Sequence, residues 1–385
     1  MKKITMLLSA VCALSLGTAL PAQAEPDHTM PQGPARVRFG ADFPKLIDHE
    51  WNFALGGFGG VTPRAALHHV PVIFVHGNNV DAADWYVVRD DFKAAGWTDQ
   101  ELFGLSYNGL GGNNGFGVQR LQPERDQEHL DMGYDGVTRV TNNEGNVPDL
   151  YDFITAVRAY TGSSKFALVS HSLGVTLARR TLKVHPELRA DLVGFVGIAG
   201  GNHGTSFCPP GSEGNVVSCN EIAANTPWLA ALNGAAGADE TYTPAKWLTI
   251  YDGSGAGDPA YAGPTYAQGP LLKGADNRQF AGRYHNDLRI DADIVTIYRQ
   301  FLEQAEKPYL AGLNSQVGAA SAPRPAATTA TNPSAVQGAT TTRLPATGGA
   351  LPLGAASAVL GSALMFRRAA LARSSGRPRG RGRRG

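Results

Sequence analysis

Three features of the 385-residue chain predict an α/β fold, a mainly parallel β-sheet with helices on both faces. Short apolar runs recur along the chain, too evenly apolar for strands with one wet face. Between them lie segments whose apolar residues return at helical spacing. One run, Phe166-Ala-Leu-Val-Ser-His-Ser-Leu-Gly174, breaks off into serines, a histidine and a glycine, and Leu173, Leu177, Leu182 and Val184 follow at roughly helical spacing. Sheets of this kind bind ligands outside the carboxyl ends of their strands, so the break marks an expected site.

In chain order, residues 25–66 are rich in Pro and Gly with isolated aromatics (Phe39, Phe43, Trp51, Phe53, Phe58) and predict an irregular wrap over the domain. Val70 to Val75 is the first strong strand and runs into His76-Gly77-Asn78-Asn79. A helix is expected over about Ala83 to Ala95, with Trp85, Val88 and Phe92 on one face, and a strand over Glu101 to Tyr107. A long Gly/Asn/Asp-rich insertion, Asn108 to Asn146, exceeds what a connection needs. Pro148 then suits the first turn of a helix running to about Tyr160. Beyond the Phe166 strand and its helix, Leu192 to Ala199 is another buried strand, ending in Gly200-Gly-Asn-His-Gly204. A second insertion covers Asn202 to Ala245. Trp247 to Tyr251 is a late strand, Gln279 to Gly282 a short one, and Ala292 to Glu306 the closing helix.

A strand that turns sharply into a helix exposes the residue at the turn, and small residues must stand two places to either side because backbones pack closely there. Ser170 and Gly174 fill those places, which puts Ser172 at the tip. The alternative is an ordinary connection with Ser172 as a helix cap. A serine hydroxyl attacks poorly at neutral pH, so it needs an imidazole to take its proton and a carboxylate to orient that ring. His285, in Arg283-Tyr-His-Asn-Asp287 before the closing helix, is the expected base. His76 suits a loop of oxyanion donors, His171 should point away, and His203 could line the pocket. For the acid, Asp258 in the turn beyond the late strand is preferred to Asp252, which ends that strand and has less freedom to reach the ring. Asp287 and Asp291 read as solvated charges at the start of a helix. The backbone N–H groups of Leu173 and Asn78 are the expected donors to an oxyanion.

Composition is that of a folded globular chain, 43% hydrophobic and 17% charged, with a formal net charge of +1. That balance conceals an arginine tail (Arg367, Arg368, Arg373, Arg377, Arg379, Arg381, Arg383, Arg384); the remainder is mildly acidic, with no footprint for nucleic acid. Lys2, Lys3, an apolar core from Ile4 to Leu20 and Pro21-Ala-Gln-Ala24 form an expected signal peptide, residues 1–24, implying export. Cys12 would leave with it, and Cys208 and Cys219 are best read as one disulfide closing a loop. No metal or cofactor is expected: His203 alone is no ligand set, and the glycines of 109–117 lack the lysine of a phosphate loop. The folded domain is expected over 25–312 and an Ala/Thr/Pro-rich spacer over 313–343. Residues 344–385 hold Leu344-Pro-Ala-Thr-Gly348, an uncharged run to Phe366 and the arginines. This trio resembles the sorting signal of Gram-positive surface proteins. The resemblance implies a sortase as partner, cleavage between Thr347 and Gly348, transient membrane contact through 350–366 and attachment to the cell wall.

The strand-plus-turn Val70 to Gly77, Trp85, the 170–174 turn, Gly200 to Gly204 with the cysteines after it, and His285-Asn-Asp287 together resemble the α/β-hydrolase superfamily. Within it they are most similar to class 2 lipases and extracellular polyhydroxyalkanoate depolymerases. The resemblance covers about Val70 to Glu306, with Ser170 a departure from the usual Gly or Ala. It implies a serine carboxylic ester hydrolase working through an acyl-enzyme, with a lipid, soluble ester or polyester as substrate. An acyltransferase or peptidase with the same triad, and a non-catalytic surface-binding protein, are the alternatives.

Overall fold

The structure, a computed structural model, describes residues 39–50, 52, 54–78, 80–107, 142–212 and 216–313. The expected signal peptide, most of the first insertion, the spacer from residue 314 on and the sorting signal lie outside them.

Among the described residues, one seven-stranded sheet is formed by β1 (Gly56–Phe58), β2 (Val72–Val75), β3 (Leu102–Ser106), β4 (Phe166–His171), β5 (Leu192–Ile198), β6 (Lys246–Tyr251) and β7 (Asp276–Gln279). Their order across the sheet is β1-β3-β2-β4-β5-β6-β7, and every neighbouring pair is parallel except β1 with β3. Parallel strands need crossovers, supplied chiefly by α1 (Tyr86–Ala94), α2 (Asn143–Thr161) and α3 (Leu173–Val184), while α7 (Ala292–Glu306) follows the last strand and packs back on the sheet. Shorter helices α4 (Cys219–Ile222), α5 (Pro227–Asn233) and α6 (Asp287–Ile290) lie in the connections. Alternation along each strand divides the core. Phe74, Val169 and Val196 pack with Trp85 and Phe92 of the α1 side and Tyr298 and Leu302 of α7. Ile73, Leu168 and Phe195 pack on the other face with Phe153 of α2 and Leu177 of α3. With both faces covered, β2 to β5 are buried throughout, which is why they read as unbroken apolar runs.

Several expectations are corrected. Residues 25–66 are not wholly irregular, since Gly56–Phe58 pairs with β3; three residues, two of them glycine, carry too little pattern to announce a strand. The helix expected from Pro148 begins at Asn143. Asn142 caps it by accepting the Gly145 N–H at 2.9 Å, and the carboxylate of Glu221 accepts the N–H groups of Asn143 and Glu144 at 2.7 and 3.0 Å. A distant acid, rather than the proline, sets this helix start. The helix expected from Ala83 opens as a 3-10 turn, Ala82–Trp85, capped by Asp81. The last strand is Asp276–Gln279 rather than Gln279–Gly282; it is an edge strand of polar residues, held by pairing to β6 with no apolar signal of its own. The closing helix has the expected bounds.

Candidate active site

The turn after β4 is tightly constrained. Ser172 has φ 54° and ψ −125°, a conformation a residue with a side chain adopts only under constraint, and its side chain makes no capping hydrogen bond to α3. It is therefore not a helix cap. The neighbouring strands hold it: Ser172 N–H donates to the Ile198 carbonyl at 2.9 Å. A Cβ on Gly174 would stand 2.2 Å from the His76 carbonyl oxygen, and one on Gly77 would stand 2.9 Å from Ser172 Cβ. Both glycines are thus demanded by close approach, and they let the loop after β2 sit against the serine. Ser170 is buried beside Val75 of β2 and Gly197 of β5, a place where a hydroxymethyl fits.

His285 Nδ1 lies 2.8 Å from Asp258 Oδ2, and Asp258 is fully buried. The other oxygen of Asp258 accepts the Ala260 N–H at 2.9 Å, which fixes the carboxylate at the start of the 3-10 turn Pro259–Tyr261. Asp252 faces elsewhere. It accepts from Ser254 Oγ and from the N–H groups of Gly257, Asp258 and Gly282, so it ties the loop that carries Asp258 to the loop that leads to His285. Burial pushes its carboxyl up, but those four donors outweigh it and hold the group below the usual carboxylate range.

Ser172, Leu173, Asn78 and His285 line one cavity of about 270 Å³. Val80, Phe207, Ile222 and Tyr261 give it an apolar wall, and among the described residues no Lys, Arg, Asp or Glu lines it. Leu173 opens α3, where backbone N–H groups have no partner within the helix. The Cys208–Cys219 disulfide is formed and buried, packed with Leu173 and Ile222 in a third apolar cluster behind that wall. Thr205 and Ser206, just before it, donate hydroxyl hydrogen bonds to the Ala260 and Pro259 carbonyls and so brace the turn beside Asp258.

The remaining candidates fall differently. His76 is buried, stacked on Tyr107 at 3.8 Å between ring centroids, with Nδ1 2.8 Å from the Gly77 carbonyl oxygen. His203 does not line the cavity; its ring faces Glu240 at 3.5 Å because its backbone N–H is bound to Gly269. His171 does not point away: it lies buried under His285, ring centroids 4.7 Å apart. Asp287 is buried rather than solvated, and Asp291 is paired with Arg283. Sequence reasoning missed Tyr261, whose hydroxyl donates to the Ala199 carbonyl at 2.6 Å, and Phe207, a half-exposed ring at the cavity; both follow motif residues closely but belong to no motif. Among the described residues no cluster of His, Cys, Asp or Glu is arranged to hold a metal ion.

Residues 69–117 and 134–243 match the family model for lipase (class 2). The matched stretches contain Asn78, Ser172 and Leu173 and end before Asp258 and His285. No curated protein matches the sequence. Among solved structures, the chain is similar to Aspergillus fumigatus lipase B at 18% identity and TM-score 0.36, over 55% of this chain and 44% of that one, so it spans less than half of that protein. It is also similar to the mature form of Bacillus licheniformis lipase BlEst2 at 13% identity and TM-score 0.43, over 64% of this chain and 97% of that one. The mainly parallel sheet with helices on both faces is an α/β fold. The family match covers less than half of the chain.

Proposed function

We propose that this protein is an exported serine hydrolase that cleaves carboxylic esters through an acyl-enzyme. The observation that carries the proposal is the His285–Asp258 pair at 2.8 Å, sharing a cavity edge with a serine held at positive φ. Asp258 accepts the Nδ1–H of His285 and leaves Nε2 unprotonated as the base. His285 takes the proton of Ser172 Oγ as that oxygen bonds to the ester carbonyl carbon. The carbonyl oxygen takes up the negative charge, and the N–H groups of Leu173 and Asn78 stabilise it. On collapse the carbon–oxygen bond to the leaving alcohol breaks, and His285 gives that alcohol its proton. Water, deprotonated by the same imidazole, then releases the acid and restores Ser172. The apolar wall of Val80, Phe207, Ile222 and Tyr261 suits a neutral acyl group.

The sequence features at the two ends extend the proposal to export through residues 1–24 and sortase attachment at Thr347 to the wall of a Gram-positive cell. Hydrolysis of p-nitrophenyl esters by the purified protein and by Ser172→Ala tests the chemistry. Turnover by the wild type and its loss in the variant are expected; full activity of the variant would end the proposal. Fractionation of cells expressing Thr347→Ala tests attachment, with release of the protein from the wall fraction expected.

A further inference from the structure

Nucleophile and base come from places 113 residues apart in sequence, on separate elements, and their mutual position must hold to a fraction of an ångström for proton transfer. One contact links the two elements through the residue beside the nucleophile. Nε2 of His171, the residue before Ser172, lies 3.0 Å from the carbonyl oxygen of His285 itself. A carbonyl only accepts, so Nε2 must carry the hydrogen, and the neutral ring then has Nδ1 unprotonated. That second nitrogen lies toward the oxyanion loop, where a Cβ on Gly77 would stand 3.4 Å from it. The ring therefore stands between the loop that bears Asn78 and the loop that bears the base, attached by its own backbone to the nucleophile.

We infer that His171 is a positioning residue that registers the main chain of His285 against the Ser172 turn through an Nε2–H···O=C hydrogen bond; this rests on the triad proposed above. The role requires a ring that stays neutral. A second positive charge so close to an imidazolium at His285 would oppose the charge that develops there during proton transfer. The surroundings meet this requirement. The ring is buried, and burial, followed by the fields of His285 and Arg289, holds it well below the ordinary histidine range, with His76 acting in the same direction. Arg289 is in turn fixed by its ion pair with Asp84 at 2.8 Å.

The test uses the full-length protein in three forms: wild type, His171→Phe, which keeps an aromatic ring in the buried space but donates nothing, and His171→Gln, whose amide can still donate to the same carbonyl. His171→Phe should lower kcat on p-nitrophenyl butyrate by about 10- to 100-fold with KM changed less than about threefold, as loss of geometry in the transition state demands. His171→Gln should recover most of that loss at a melting temperature no higher than that of His171→Phe. Wild-type kcat in His171→Phe, or equal impairment of both variants at equal melting temperature, overturns the inference. If His171→Phe does not fold, His171→Gln alone decides, because retained kcat is required of it. Imidazole 15N shifts need no turnover: His171 should remain the neutral Nε2–H tautomer from about pH 5 to about pH 9, and its protonation near the usual histidine value overturns the inference. A wild type that is inactive on every ester while that tautomer persists would instead defeat the proposed function.

Discussion

The sheet carries, at each end of its strands, a partly exposed histidine paired with a buried carboxylate. At the carboxyl edge it is His285 with Asp258 at 2.8 Å; at the amino edge it is His69 with Glu306 at 2.6 Å. Pair distance does not distinguish them. At the amino edge every surrounding donor has a backbone task. Glu306 also accepts the Val70 N–H at 2.7 Å and fastens the segment before β2 to the end of α7, while Glu101 accepts the N–H groups of His68, His69 and Thr98 and fastens that segment to the start of β3. The His69 ring stacks on Trp97. At the carboxyl edge, the chain instead keeps a serine in a costly conformation against an open cavity. That expense marks the proposed catalytic site, since a pair that only holds structure has no need of it.

Substitutions at the two edges should separate rate from stability. The largest effect is expected of Ser172→Ala, a loss of kcat on the order of 10⁴- to 10⁶-fold with the melting temperature kept. Asp258→Asn should cost on the order of 10⁴-fold in kcat by offering His285 the wrong tautomer. Asp252→Asn should cost far less, because Asp252 organises loops and does not touch the ring. A steady-state comparison of the two aspartate variants checks both; equal losses would erase the distinction between them. At the amino edge, His69→Phe keeps the stack on Trp97 but leaves a Glu306 oxygen unpaired, so chemical denaturation should show a loss of ~1–3 kcal/mol with kcat unchanged.

A third carboxylate sharpens the contrast further. Asp149, buried against Asp48, has its carboxyl pushed up to about 8, by burial first and the Asp48 charge second. A folded-state value above the unfolded one means stability that is full below about 3.8 and falls as pH rises through about 8. Asp149→Asn keeps an oxygen for the His49 N–H and cannot ionise, so it should gain ~1–3 kcal/mol over wild type at mildly alkaline pH and little in acid. Denaturation at the two pH values checks the sign; a variant less stable at alkaline pH would contradict it.

Local chemistry is what the sequence made legible. The Ser172 turn could be found because strand, turn and helix follow one another and small residues must flank the tip. Asp258 could be preferred to Asp252 because a turn has reach that a strand end lacks. What stayed hidden depends on partners distant in sequence. Glu221 starts α2 from a loop far downstream, β7 exists through its pairing with β6, and His171 acquires its role from a carbonyl at 285. The pattern around each of these positions contains no term for the other partner.

Labelling with a fluorophosphonate, followed by mass mapping of the modified peptide, addresses the central claim most directly. One adduct is expected, on Ser172, formed by the wild type and slowed severely in His285→Ala. An adduct on another residue, or none on a protein shown to be folded, would contradict the account.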